Sequence, residues 1–316
     1  VLDAIRFTQG AVAKKDFSPE LTHFRIENGT IRGFNGNLSL FSPISLDLKI
    51  SPKALPFIKA VQACKETIEL HVTSTGRLSI RSGKFKAFVD CLEEAFPAVD
   101  PAGEVIPLQG ELLGVMKKLF PFIAEDASRP WARGILFRGQ SAITTNNIVL
   151  LEYWLGYQFP VEINVPRAAI AELLRIGEEP TAIQIGENSC TFHFKGDRWL
   201  RTATCSTEWP DMRPVLERNT TQLPFPEGLM EAAQELMPFV DDLTRLFMTP
   251  GKVATSQHDG DGASVDLPSI QTTGCFNAKQ LVQLSGIAKT VDFSDAPKPC
   301  IFYGDRIRGA IAGMRV

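Results

Sequence analysis

A chain of 316 residues is too long for one ordinary hydrophobic core and suits two or three domains. Hydrophobic residues at 44% and charged residues at 22% exclude a disordered or fibrous chain, and no apolar run approaches the ~18–20 residues of a membrane span. A net charge of −3 excludes a protein that coats nucleic acid with its whole surface, so any nucleic-acid contact must be local.

The first predicted element is an amphipathic helix over Leu2–Lys15. A hairpin follows in HFRIENGTIRGF, where apolar residues alternate on both sides of Asn28-Gly29. SPISLDLKI leads to a second helix, predicted from Ser51 as N-cap, with Pro52 at the first helical position, to about Lys65. Strands TIELHVTS, GRLSIRSG and KFKAFVDCL close the unit.

The same order returns twice. Helix Leu112–Ala127 precedes strands GILFRG, SAITTNN and VLLEYWL; a helix from Pro166 precedes TAIQIG, CTFHFKG and RWLRTATC. Helix Gly228–Arg245 precedes LFMTPG, KVATSQ and ASVDLPSI; helix Asn277–Ala288 precedes CIFYG and RIRGAIAGMRV. The second helices start near Ser51, Pro166 and Asn277, at near-equal intervals. Turn formers near Pro97–Gly103 and Asn219–Pro226 mark linkers, which gives α+β domains over 1–103, 104–220 and 221–316. In each, two helices must cover one face of sheet, and an array of such units leaves strand edges that closure with a second copy would remove.

Enzyme motifs are missing. Gly83-Lys84 and Gly251-Lys252 lack the upstream glycine of a phosphate-binding loop, no G-x-S-x-G elbow occurs, and the four histidines are scattered. His258-Asp259-Gly260-Asp261-Gly262 lacks the spacing and terminal Glu of a calcium loop and reads as a tight turn. The six cysteines form no C-x-x-C pair, so neither a disulfide framework nor a zinc site is expected; they read as small core residues in a reducing cytoplasm. No catalytic activity, metal or cofactor is expected.

Several segments resemble a known family in order and spacing. They are SRPWARGILF (128–137), AITTNNIVLL (142–151), INVPRAAIAELLRI (163–176) and WPDMRPVL (209–216), with QGAVAKKDFSPELTHFRIENGTI, RSGKFKAFV and AFPAV before them and GAIAGMRV at the end. Together they are similar to the bacterial DNA polymerase III beta subunit, the sliding clamp. The resemblance implies a DNA-clamp fold of three repeated domains and a head-to-tail homodimer. Helices would line a hole around duplex DNA and antiparallel sheets would face outward. It also implies a processivity factor that tethers a polymerase through short hydrophobic peptides and is opened by a clamp loader.

A clamp needs phosphate contacts without base readout. The candidates are Lys14, Lys15, Lys53, Lys59, Lys117, Lys118, Arg133 and Lys279, with Arg77, Arg81, Lys84 and Lys86 as additional basic residues. Against them stands the third domain's first helix, acidic at Glu227, Glu231, Glu235, Asp241 and Asp242. The resemblance places a partner-peptide cleft at Ala132, Thr145, Asn147, Val149, Leu150, Ile311, Met314 and Val316, and a ring seam along Lys84–Cys91 with Phe88, Val89, Leu236 and Phe239 as apolar contacts. The family's Thr-Asp-Gly-His-Arg-Leu segment is here Thr145, Asn146, Asn147, Ile148, Val149 and Leu150, which predicts a more apolar cleft and a preference shifted away from the family's glutamine-bearing motif. The family's first strand has no match from Val1 onward. These departures describe a divergent relative of bacterial or phage source, and leave open a clamp-fold adaptor or decoy that binds replication proteins without encircling DNA.

Overall fold

The computed structural model describes residues 1–93, 97, 99–126, 128–258 and 260–315. Helix α1 (Leu2–Thr8) buries Ala4, Ile5, Phe7 and Thr8 along one stripe. It stops well short of the predicted Lys15, with a single 3₁₀ turn over Gln9–Ala11 after it. The Thr8 hydroxyl donates back to the Ala4 carbonyl at 2.9 Å, and Gly10 and β-branched Val12 are poor helix residues.

Strands β1 (Phe24–Glu27) and β2 (Thr30–Phe34) form the predicted hairpin. Asn28 and Gly29 both take positive φ, 51° and 67°, as a type I′ turn requires. After β3 (Leu38–Pro43), helix α2 (Ala54–Ala63) starts three residues beyond the predicted cap. Ser51 is not an N-cap. Residues 50–53 are held extended by bridges from Ile50, Pro52 and Lys53 to Ile26, Cys91 and His23, and the buried Ser51 hydroxyl accepts from Arg25 at 3.2 Å. Long-range ladder bonds outweigh the local capping preference. Strands β4 (Glu69–Val72), β5 (Leu78–Ser82) and β6 (Phe85–Val89) follow as predicted.

The middle of the chain runs β7 (Glu104–Pro107), α3 (Leu112–Leu119), β8 (Gly134–Arg138), β9 (Ser141–Thr145), β10 (Val149–Trp154) and β11 (Ile163–Pro166). Then come α4 (Arg167–Ile176), β12 (Ala182–Gly186), β13 (Ser189–Phe194) and β14 (Arg198–Ala203). Helix α3 ends before the predicted Ala127, which lies outside the described residues; a 3₁₀ turn at Phe120–Phe122 contains Pro121, which cannot continue the helix.

The last part runs α5 (Arg213–Leu216), β15 (Leu223–Pro224), α6 (Leu229–Leu236), β16 (Arg245–Thr249), β17 (Lys252–Ala254), β18 (Ser264–Asp266) and β19 (Gly274–Asn277). Helix α7 (Ala278–Gln283) and strands β20 (Thr290–Val291), β21 (Cys300–Gly304) and β22 (Ile307–Ile311) close the chain. Pro238 stops α6, so Arg245 begins a strand and does not end the predicted helix. Asn277 caps α7 as its sequence suggests, accepting the Gln280 amide at 3.0 Å, but the α-helix ends at Gln283, short of Ala288.

The chain divides into two compact units, Val1–Leu113 with Ala168–Thr204, and Gly114–Arg167 with the residues from Cys205 on. The first holds a seven-stranded sheet, β1-β2-β3-β14-β13-β12-β7, and a three-stranded sheet, β4-β5-β6. Its core packs Phe57, Ile58 and Val61 of α2 against Leu78, Ile80 and Val89. The second holds an eight-stranded sheet, β11-β8-β9-β10-β22-β21-β20-β15, and a four-stranded sheet, β18-β17-β16-β19. Among the described residues all strand pairs are antiparallel. In each large sheet, one central pair joins strands far apart in sequence: β3 with β14 and β10 with β22. These two pairings tie together the stretches that the sequence reads as successive domains.

Candidate functional site

All of the predicted DNA-facing cations are exposed. In the first unit, Lys53 and Lys59 sit at the start and on the outer side of α2. Lys14 and Lys15 lie in the loop after α1, whose base is closed by the Ala13 amide on the Leu21 carbonyl at 2.8 Å; His23, just beyond, bridges to Lys53. Arg81 and Lys86 are direct cross-strand partners on β5 and β6. Their neighbours Ile80 and Ala87 pack toward α2, so alternation puts Arg81 and Lys86 on the opposite face of the sheet. In the second unit, Lys117 and Lys118 occupy the last turn of α3, Arg133 follows a 3₁₀ turn, and Lys279 is on α7. The buried residues of α6 are Leu229, Ala232, Ala233 and Leu236, which leaves Glu231 and Glu235 on its solvent side.

The predicted cleft residues gather on β9, β10 and β22 but divide between two faces. Val149 pairs with Ile311, and both are fully buried with Ala132. Leu150 pairs with Thr145 and Ala310 on the other face. The turn between β9 and β10 is pinned by side chains. Asn146 Oδ1 accepts the amides of Ile148 and Val149 at 3.1 and 2.8 Å, its amide nitrogen donates to Gln280 at 2.7 Å, and the Thr145 hydroxyl donates to the Val149 carbonyl at 2.7 Å. Asn147, at φ 73°, has a buried side-chain oxygen with no hydrogen-bond partner. Met314 donates its amide to the Cys275 carbonyl at 2.7 Å and borders a separate hollow of about 980 Å³ on β16, β17 and β19; Val316 lies outside the described residues.

The face that carries Thr145 and Leu150 continues into a hollow of about 500 Å³, floored by Leu136, Ile143, Trp209 and Leu216. Trp209 meets Trp131 edge to face at 4.9 Å. On the sheet, Glu152 accepts from the Ser141 hydroxyl at 2.6 Å and from the Arg308 guanidinium. At the rim, hydrogen bonds from Arg213 hold the Asp211 carboxyl down at about 2. Apolar floor and neutralised charges suit an apolar side chain framed by polar groups. The sequence reading missed Leu136, Ile143, Glu152 and Arg308 because only strand register puts them beside Leu150. WPDMRPVL was the visible signal for the Trp209–Leu216 wall.

Of the predicted seam contacts, Val89 and Leu236 are 1% and 3% exposed and belong to the cores of their own units. Phe88 and Phe239 are 44% and 63% exposed. Strand β6 is one edge of the three-stranded sheet and β18 one edge of the four-stranded sheet.

Among the described residues, no group of three or more His, Cys, Asp or Glu is arranged to hold a metal ion, and no helix is long and apolar enough to cross a membrane. None of the six cysteines is in a disulfide. Burial raises the Cys205 and Cys275 thiols, and burial together with Asp292 and Asp295 pushes Cys300 up to about 12. These thiols are therefore protonated near neutral pH and poor nucleophiles.

No protein-family model and no curated protein sequence matches the chain. Solved structures do. The Caulobacter crescentus pol III beta aligns with a TM-score of 0.84 at 18% identity, over 100% of this chain and 97% of that one. The DnaN sliding clamp of Bartonella birtlesii, bound to griselimycin, gives 0.83 at 17%, and the Helicobacter pylori beta clamp, bound to a DNA ligase peptide, gives 0.76 at 16%, both with the same coverages. At such identities the likeness establishes the fold: this chain has the sliding-clamp fold over its whole length, with mixed helices and several antiparallel sheets.

Proposed function

We propose that this chain is a DNA sliding clamp. Two copies close head to tail into a ring of six domains, each chain contributing 1–103, 104–220 and 221–316. The ring holds duplex DNA without reading its sequence and tethers a polymerase. It is a binding protein, not an enzyme, and acts in the cytoplasm of a bacterial cell, with the chromosome or a phage as its source.

The observation that carries this reading is the pattern of joined and open strand edges. β3, β10 and β18 are each the third strand after the first helix of a repeat, and β6, β14 and β22 are each its last strand. Within the chain, β3 pairs with β14 and β10 with β22, both antiparallel. One strand of each kind, β18 and β6, remains at a sheet edge. Such edges are a liability that native proteins cover. By the rule the other two junctions obey, β18 of one copy pairs with β6 of another. The four-stranded and three-stranded sheets then merge into the size of the seven-stranded sheet. Two such contacts close a ring with two-fold symmetry.

Inside the ring, Lys53, Lys59, Lys117, Lys118 and Lys279 on the helices, with Lys14, Lys15 and Arg133 on the loops, supply phosphate contacts. The hollow beside Thr145 and Leu150 takes a Leu or Phe anchor of a polymerase or loader peptide, in the recognition mode of an extended peptide with few anchors. The acidic solvent side of α6 favours the alternative of a clamp-fold adaptor that binds replication proteins without encircling DNA. Retention on nicked circular duplex, measured before and after linearisation by a restriction enzyme, separates the two. A clamp stays on the circle and slides off the linear form. Equal retention on both would overturn encirclement.

A further inference from the structure

The sheet of β4, β5 and β6 has two faces of opposite chemistry. Leu70, Leu78, Ile80, Ala87 and Val89 pack toward α2. On the other face Arg81 stands opposite Lys86, and Ser79 lies between His71 and Phe88. Phe88 is 44% exposed yet is not a bare apolar spot: Lys86 Nζ lies 4.7 Å from its ring centroid and the Arg77 guanidinium carbon 5.7 Å. Lys84, in the turn before β6, adds a further exposed cation. The acidic groups beside them are Asp90, paired with Arg77 at 2.7 Å, Glu69, opposite Arg81, and, at the two ends of the strands, Glu66 against Gly83 and Glu93 near Gly76. On the strands of this face, Arg77, Arg81 and Lys86 stand against Glu69 and Asp90 around one aromatic ring.

We propose that this face, with Arg77, Arg81, Lys84 and Lys86 around Phe88, binds single-stranded DNA. Paired edges of β6 and β18 would leave these side chains free, because strand pairing uses the backbone edge and the side chains stand on the face. A duplex hides the flat faces of its bases, whereas a single strand presents one with every nucleotide. A base stacking on Phe88 displaces a cation from the ring toward the adjoining phosphate, so the same two groups serve both halves of a nucleotide. An acidic peptide fits less well, because the negative face of the ring repels a carboxylate. The inference rests on the clamp reading only for its setting, an unpaired strand beside a ring that holds the duplex; the binding itself requires no ring.

The test is fluorescence anisotropy of a labelled oligothymidylate with the full chain, R81Q/K86Q, F88A, and K53Q/K59Q on α2. The expected result is about a tenfold or greater loss of affinity in F88A and in R81Q/K86Q, with a salt dependence shallower by about one to one and a half units in the latter. K53Q/K59Q should lose distinctly less. Circular dichroism shows whether each variant is folded. Three results would overturn the proposal: no binding of the oligonucleotide by the unaltered chain, equal affinity in all variants, or displacement by polyglutamate as effective as by unlabelled oligothymidylate. The last would assign the face to an acidic protein. Retention of the unaltered chain on circular duplex, measured alongside, reads the clamp function separately, so either reading can fail alone.

Discussion

Arg175 and the buried Glu172, one turn apart on α4, form a latch on the end of α1. Arg175 donates through Nε to both carboxylate oxygens of Glu172 at 3.0 and 2.9 Å, and through its terminal nitrogens to the carbonyls of Arg6 and Phe7 at 2.9 and 2.8 Å. Those carbonyls sit at the end of a helix, where they have no intrahelical partner. Glu172 is 7% exposed, and both of its carboxylate oxygens accept from Arg175. Arg175→Ala is expected to cost about 3 kcal/mol, because it strands a buried carboxylate. Gly10→Ala should also destabilise, by about 1–3 kcal/mol, since a Cβ there falls 1.9 Å from a Glu172 oxygen that Arg175 holds in place. Urea unfolding of both variants checks the two costs.

Light scattering across a dilution series should give a species near twice the 34.8 kDa chain mass. Phe239→Asp, at a side chain that is 63% exposed, should shift this species to the monomer without lowering the melting temperature. A variant that remains dimeric would remove Phe239 from the seam.

The peptide hollow is checked by isothermal titration with a short peptide that carries Leu and Phe anchors. Ile143→Ser removes apolar floor beside Leu216 and should weaken binding by about tenfold, as expected for burying one fewer aliphatic side chain. The neutral Asn147, Ile148 and Val149 predict that adding the family's glutamine to the peptide gains little affinity.

Hydrogen bonds from Arg198 hold Glu178 below its ordinary value of 4.5. A carboxyl depressed in the folded state stabilises above its unfolded value, and that stability is lost as pH falls through the folded value. Glu178→Gln should therefore melt lower than the unaltered chain at pH 7, by the modest amount of a half-exposed pair (at most about 1 kcal/mol). The difference should shrink steadily as the pH is lowered from 4.5. Differential scanning calorimetry at both ends of that range tests it.

Local signals carried the strands. The Asn28-Gly29 turn demands two positive φ values, and alternation on either side of it fixed β1 and β2. Helix ends were less legible, because apolar periodicity continues through the 3₁₀ turns at Phe120–Phe122 and Met237–Phe239, where Pro121 and Pro238 halt the α-helix. Ser51 carries every local mark of a cap, yet it is spent on a ladder with residues distant in sequence. The faces of the candidate site were hard to read for the same reason. Which face Val149 or Leu150 occupies depends on pairing with Ile311 and Ala310 at the far end of the chain, and Arg81 parts from Lys59 only once the sheet is built.

The junctions of β3 with β14 and β10 with β22 also bear on how such a chain can be cut or inherited. A strand that completes its neighbour's sheet makes each repeat a fragment by itself. Excising 104–220 would expose the long flanks of β3 and β22 at once and turn two interior strands into adhesive borders.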